Sequence, residues 1–205
     1  MEQRRRPFSL MGWAYFFVVV VLFFCDQLIK FYFQKNFLVA SLPGGLHSYL
    51  SRYETLFRGE IFSGFWVDIS LTYVRNTGAA WGLFGNLPES IRPYFFHVLT
   101  FVAIVFLFIF FVRSSAKDQL TRWGLVVVLG GAVGNFVDRL VLHYVVDGFH
   151  IKWDILGWAY DYPVFNFADC CVSIGVGIIL LGALITKHRV RSAPPLSKAE
   201  EASAS

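Results

Sequence analysis

Four stretches of this chain, at about residues 11–33, 93–112, 123–142 and 164–186, stay apolar over the roughly 20 residues a helix needs to cross a hydrocarbon layer. Inside that layer no water satisfies backbone N–H and C=O groups, so each crossing segment must make its hydrogen bonds internally. The chain is therefore predicted to be a membrane protein, mainly α, built on four transmembrane helices. Its 56% apolar content, with 23 phenylalanines in 205 residues, excludes an ordinary soluble domain. Residues 1–186 read as a single four-helix membrane domain. Residues 187–205 are polar toward their end and rich in Pro, Ala and Ser, which predicts a disordered tail.

Lysine and arginine set the expected orientation, because short cytoplasmic flanks of membrane spans carry an excess of them. The two ends and the brief connection between the second and third spans hold most of these charges, among them Arg4, Arg5, Arg6, Arg113, Lys117 and Arg122. The two longer connections hold them more sparsely, as Lys35, Arg52, Arg58, Arg75, Arg92 and Lys152. Both termini are predicted to be cytoplasmic. The net charge of +4 expresses this bias and gives no reason to expect nucleic acid as a partner. Arg4 to Arg6 ahead of an apolar run also resemble the start of a secretory signal. A lipoprotein-type cleavage site would want a small residue before Cys25, and Phe24 is not small, so the first span is expected to be retained.

Charged residues within or beside such spans need a reason, since a carboxylate at mid-membrane costs about 2.5–3.5 kcal/mol even on the gentler scales. Asp26 and Lys30 stand four apart, on one helix face, and are expected to neutralise each other as a structural pair. In the third span Gly130-x-x-x-Gly134 offers a small-residue seam for a neighbouring helix. Asn135 and Asp138 follow at i, i+3, with Arg139 beside them, and Asn166 and Asp169 repeat the spacing at the start of the fourth span. His97 has no partner at ligand spacing and no H-E-x-x-H occurs, so no metal is expected. Cys25, Cys170 and Cys171 fall inside spans and read as small buried side chains.

Between the first two spans V-D-I-S-L-T-Y, from Val67, alternates strictly and predicts a strand with one wet face. The following R-N-T-G-A-A-W-G-L-F-G reads as a hairpin or re-entrant turn, or as an exposed edge that could hold an extended peptide by strand addition. The two N-F-x-D motifs invite a pairing of Asp138 with Asp169. Asp147 competes for that place. Nine residues of continuous helix, at about 100° each, would turn Asp147 half a revolution away from Asp138, so a straight helix cannot present both to one partner. Geometry alone leaves the choice open.

Taken in order, D-Q-L-I-K (26–30), Y-V-R-N-T-G-A-A-W (73–81), G-G-A-V-G-N-F-V-D-R (130–139), V-V-D (145–147) and F-N-F-A-D (165–169) resemble the motifs of the lipoprotein signal peptidases, also called signal peptidase II. The resemblance implies a bacterial inner-membrane aspartyl endopeptidase with four transmembrane helices and a small extracytoplasmic β-cradle between spans one and two. It implies cleavage of prolipoproteins just before a diacylglyceryl-modified cysteine, without cofactor, near the outer face of the membrane. The family's dyad falls on Asp147 and Asp169. Asn76, Asn135, Asp138, Arg139, Asn166 and Ala168 would bind substrate or support the site, membrane lipids would surround it, and a monomer is expected. Three features depart from the family pattern: a long 36–60 segment, Gly148 between V-V-D and the aromatic Phe149, and the 22 positions that separate Asp147 from Asp169.

Two carboxylates close together share a proton, so one can take a proton from an attacking water while the other protonates the developing oxyanion. The competing function is a transporter or proton pathway, which would need polar groups through the full membrane depth. Here the inner parts of the spans are almost purely apolar.

Overall fold

The computed structural model describes residues 10–43, 48–78, 87–88 and 90–192. Its helices are α1 (Leu10–Phe37), α2 (Arg92–Arg113), α3 (Gln119–Leu142) and α4 (Phe167–Ser192). All four are long and apolar enough to cross a membrane. Its strands are β1 (Leu38–Ser41), β2 (Tyr49–Ser51), β3 (Glu54–Phe62), β4 (Phe65–Asn76), β5 (Val145–Ile155) and β6 (Trp158–Asp161).

The helix ends follow local chemistry. Pro93 sits in the first turn of α2, where its missing N–H is not needed. Asp118 caps α3 by accepting from the Thr121 N–H at 3.2 Å. His143 then stops α3 in a left-handed conformation, φ 65°, and donates its N–H to the Arg139 carbonyl at 3.0 Å. The helix therefore ends before Asp147, which lies on β5 instead.

Four expected boundaries move, the start of the third span among them, since Asp118 caps the helix and starts it at Gln119 rather than 123. The first helix runs on from 33 to Phe37, because Phe33 and Phe37 are buried with Tyr73, Tyr144 and Val146. The fourth begins at Phe167 rather than 164, since Phe165 is extended and bridged to Phe149. It also continues to Ser192, so the first residues assigned to the tail are helical; 193–205 lie outside the described residues.

α3 is the middle of the bundle and packs on α1, α2 and α4. Its Gly134 makes the closest approach possible: a Cβ there would lie 2.3 Å from Asp26 Oδ2. Any side chain at 134 would push that carboxylate off its partners.

The sheet goes beyond the predicted strand. The 36–60 segment forms the β1–β2 hairpin and β3, and β3, β4, β5 and β6 join in that order as one antiparallel sheet. Half of its strands thus come from the connection between α3 and α4. Most of the turn that follows β4, residues 79–86, lies outside the described residues. Gly148 has a physical reason to be where it is. It falls opposite both Thr72 and Tyr73, where the β4–β5 register shifts between Leu71 and Val74, and a Cβ there would meet the Phe33 ring at 2.3 Å. Glycine lets β5 cross the end of α1. The Gly148 and Phe149 N–H groups both donate to the Phe165 carbonyl, at 3.0 and 2.9 Å, which draws the start of α4 to the start of β5.

Candidate active site

Asn166 precedes the first turn of α4 and makes a reciprocal cap with Asp169. The Asp169 N–H donates to Asn166 Oδ1 at 3.0 Å, and the Asn166 N–H donates to Asp169 Oδ2 at 3.1 Å. The cap leaves the Asn166 amide nitrogen free to bridge two other elements. It donates to Asp147 Oδ1 on β5 at 2.6 Å and to Asn135 Oδ1 on α3 at 3.2 Å. Asn135 in turn donates to Asp169 Oδ1 at 3.0 Å. From the other side Asn76, at the end of β4, donates to Asp147 Oδ2 at 2.8 Å, its own carbonyl being held by the Gly78 N–H.

Asp147 and Asp169 thereby line one cavity of about 410 Å³ and are linked through two amides. Arg139 lines the same cavity, with its guanidinium over the Phe96 ring. Asp147 is almost fully buried. Burial and then the nearby Asp169 charge push its carboxyl up to about 7, against the pull of the Asn76 and Asn166 amides. A carboxyl titrating there is available as a proton donor in neutral water.

Asp138 does not join them. It points toward α1, where Lys30 Nζ lies 3.0 Å from Asp138 Oδ2 and 2.8 Å from Asp26 Oδ2. The third ammonium proton goes to Asn135 Oδ1 at 2.8 Å. The carboxylates also accept from backbone: Val146 N–H donates to Asp138 and Ala168 N–H to Asp26, each at 3.0 Å. Asp26 and Lys30 are thus more than an isolated pair. With Asp138 they form a buried, fully bonded triad that fixes α1 to α3, to the start of β5 and to the start of α4. Through Asn135 it sets the amide that holds Asp169.

Sequence reasoning missed three contributors. Gln27 donates to Asp138 Oδ1 at 3.0 Å, and no periodicity singles it out beside Asp26. The His97 ring contacts the Arg139 carbonyl from α2, a partner 42 positions away. Ser173 lines the cavity with Asp169, and its i, i+4 spacing from that aspartate was the available signal.

A sequence profile of the family described as Signal peptidase (SPase) II matches residues 18–185. The chain belongs to the signal peptidase II family. It is 33% identical over 180 residues to the lipoprotein signal peptidase of Pasteurella multocida (strain Pm70), covering 88% of this chain and 94% of that protein. A bacterial membrane enzyme solved by the in meso method at 2.3 Å resembles it with TM-score 0.60 and 25% identity, over 89% of this chain and 94% of the other. A second such structure, at 1.9 Å, shares the fold with TM-score 0.57 and 24% identity, over 83% and 92% of the two chains. Membership in signal peptidase II makes this chain a peptidase, and its four spans make it a multi-pass membrane protein.

Proposed function

We propose that the chain is an aspartyl endopeptidase that removes the signal peptide from prolipoproteins, cutting just before a diacylglyceryl-modified cysteine. The observation that carries the mechanism is the pair of carboxyl groups on one cavity, one of them pushed up to about 7. The substrate comes from the family and from the name of the Pasteurella relative.

In this mechanism Asp147 carries the shared proton and Asp169 acts as the base. Asp169 takes a proton from water as the water oxygen bonds to the scissile carbonyl carbon. Asp147 gives its proton to the carbonyl oxygen, so the tetrahedral diol forms without a free oxyanion. Collapse of the diol breaks the C–N bond: the leaving amine takes the proton that Asp169 received, and one diol hydroxyl returns its proton to Asp147 as the carboxylic acid forms. Asn76, Asn135, Arg139 and Asn166 line or frame the cavity and orient the extended peptide. The uncharged stretches 11–25, 98–112, 123–134 and 170–186 oppose the transporter alternative, which needs ionisable groups across the membrane.

The purified protein, given a diacylated prolipoprotein peptide, should release a signal peptide whose mass places the cut immediately before the modified cysteine. Cleavage at another bond, or equal cleavage of the unlipidated peptide, would defeat the reading.

Activity should also fall as pH rises. The Asp147 carboxyl is protonated below about 7 and loses its proton above it, so kcat/KM should fall about tenfold per unit on the alkaline side. A profile from pH 5 to 9 that stays flat above 7 would remove Asp147 as the acid.

With the basic ends inside, the sheet and cavity face outward and both termini are cytoplasmic. A reporter fused at Gly157 should behave as external, and cytoplasmic behaviour would reverse the orientation.

A further inference from the structure

The four-stranded sheet has two chemically different faces. Cross-strand pairing puts Arg58, Asp68, Lys152 and Asp161 in one row on one of them. There Arg58 Nη2 meets Asp68 Oδ2 at 2.6 Å and Lys152 Nζ meets Asp161 Oδ2 at 3.0 Å. The opposite face is apolar: Phe57, Ile69 and Ile151 form one row, and Phe62, Phe65 and Trp158 stand at the tip.

The direction of the apolar face is set at its root. Leu71 and Phe149 pack on the buried cluster around Phe33, at the end of α1. Ile151, Trp153 and Tyr162 look across a cleft of about 380 Å³ at Cys170, Ser173 and Ile174 of α4. This face therefore looks down on the ends of the spanning helices. Beyond the edge of the bundle, the same direction is the one in which the four apolar helices run. There the apolar side chains stay uncovered by the described residues, with Phe62 63% and Trp158 84% exposed. Leu156, 79% exposed, occupies a corner of the β5–β6 turn at φ 53°, where Asn or Asp is the usual residue.

We propose that the apolar face of β3–β6 lies on the membrane, with Phe62, Leu156 and Trp158 seated among the headgroups and upper acyl chains of the leaflet on the sheet's side. Lipid is the occupant because the face is continuous with a surface that lipid already covers: Ile174, on the α4 wall of the cleft, is 59% exposed on a spanning helix. Aromatic side chains favour that interfacial depth. The Arg58–Asp161 row on the other face then looks into water. The proposal is independent of the catalytic reading.

Two tryptophans on opposite faces of the tip supply an internal comparison. Trp66, 51% exposed, belongs to the charged face and Trp158 to the apolar one. The full chain labelled with 5-fluorotryptophan should be placed in phosphatidylcholine/phosphatidylglycerol nanodiscs, with Trp66→Phe and Trp158→Phe assigning the two fluorine resonances. Lipid carrying a nitroxide at acyl carbon 5 should broaden Trp158 at least about fivefold more than Trp66, and a water-soluble gadolinium chelate should do the reverse. Equal access of both to the chelate, with no effect of the lipid label, would leave the face in water. Shielding of Trp158 from both probes would mean that protein covers it, a second copy or another segment of the chain. Either result overturns the proposal.

Discussion

Asp147→Asn and Asp169→Asn should each reduce turnover at least about 10³-fold while the protein still folds and binds substrate, because in the proposed mechanism each removes one half of a proton relay and leaves the shape of the cavity. An amide at 147 can neither give the proton that the diol oxygen needs nor titrate near 7. An amide at 169 cannot take one from water, although it can still cap α4. Asp138→Asn serves as the control. It leaves the cavity's carboxyl pair intact but weakens the grip on Lys30, so its loss should appear mainly as a lower melting temperature. The three variants should be compared in detergent by single-turnover cleavage, peptide binding and thermal unfolding. Substantial turnover by Asp147→Asn, with none by a well-folded Asp138→Asn, would assign the chemistry to the two N-F-x-D motifs instead.

Lys30→Met should be the most destabilising single change in the bundle. It leaves Asp26 and Asp138 facing each other, both buried, with no cation between them. Removing one partner from a buried ion network costs about 3–5 kcal/mol, since the charges that remain are uncompensated. Converting both carboxylates as well, in Asp26→Asn/Lys30→Met/Asp138→Asn, should recover much of that loss, because a neutral cluster has no desolvated charge to carry. Turnover should not recover with it. Without Lys30, Asn135 Oδ1 keeps only the longer bond from Asn166, at 3.2 Å, so its amide is held less firmly against Asp169. Thermal unfolding that leaves Lys30→Met level with the parent would show that the triad does not hold the bundle together.

Apart from the pairing of Asp26 with Lys30, both experiments probe contacts that no local pattern contains. The four spans were legible because the bilayer imposes a length and a polarity on consecutive residues, and a run such as 93–112 meets both conditions without reference to the rest of the chain. The strand at β4 was legible for a similar reason, since alternation with period two is a property of neighbours. The helical spacing of Asp26 and Lys30 predicted their contact correctly. It could not reveal that Lys30 also reaches Asn135, 105 positions away.

The grouping of the carboxylates was decided by tertiary structure. Asp138 and Asp169 carry matching motifs, yet α3 turns Asp138 toward α1, and the left-handed residue His143 ends the helix in time for Asp147 to enter a strand. A backbone bridge at Phe149 and Phe165 then places that strand beside the cap of α4. The sheet shows the same division. Its central strand announced itself by alternation, whereas its four-stranded order joins two connections separated by a pair of membrane spans. By itself the sequence determined what must cross the membrane as helix and that the stretch from Val67 is a strand, because those depend on residues within a few positions of one another. Which acids meet across a cavity, and which side chains gather on each face of the sheet, depended on how helices and strands distant in sequence pack together, and only the folded chain settles that.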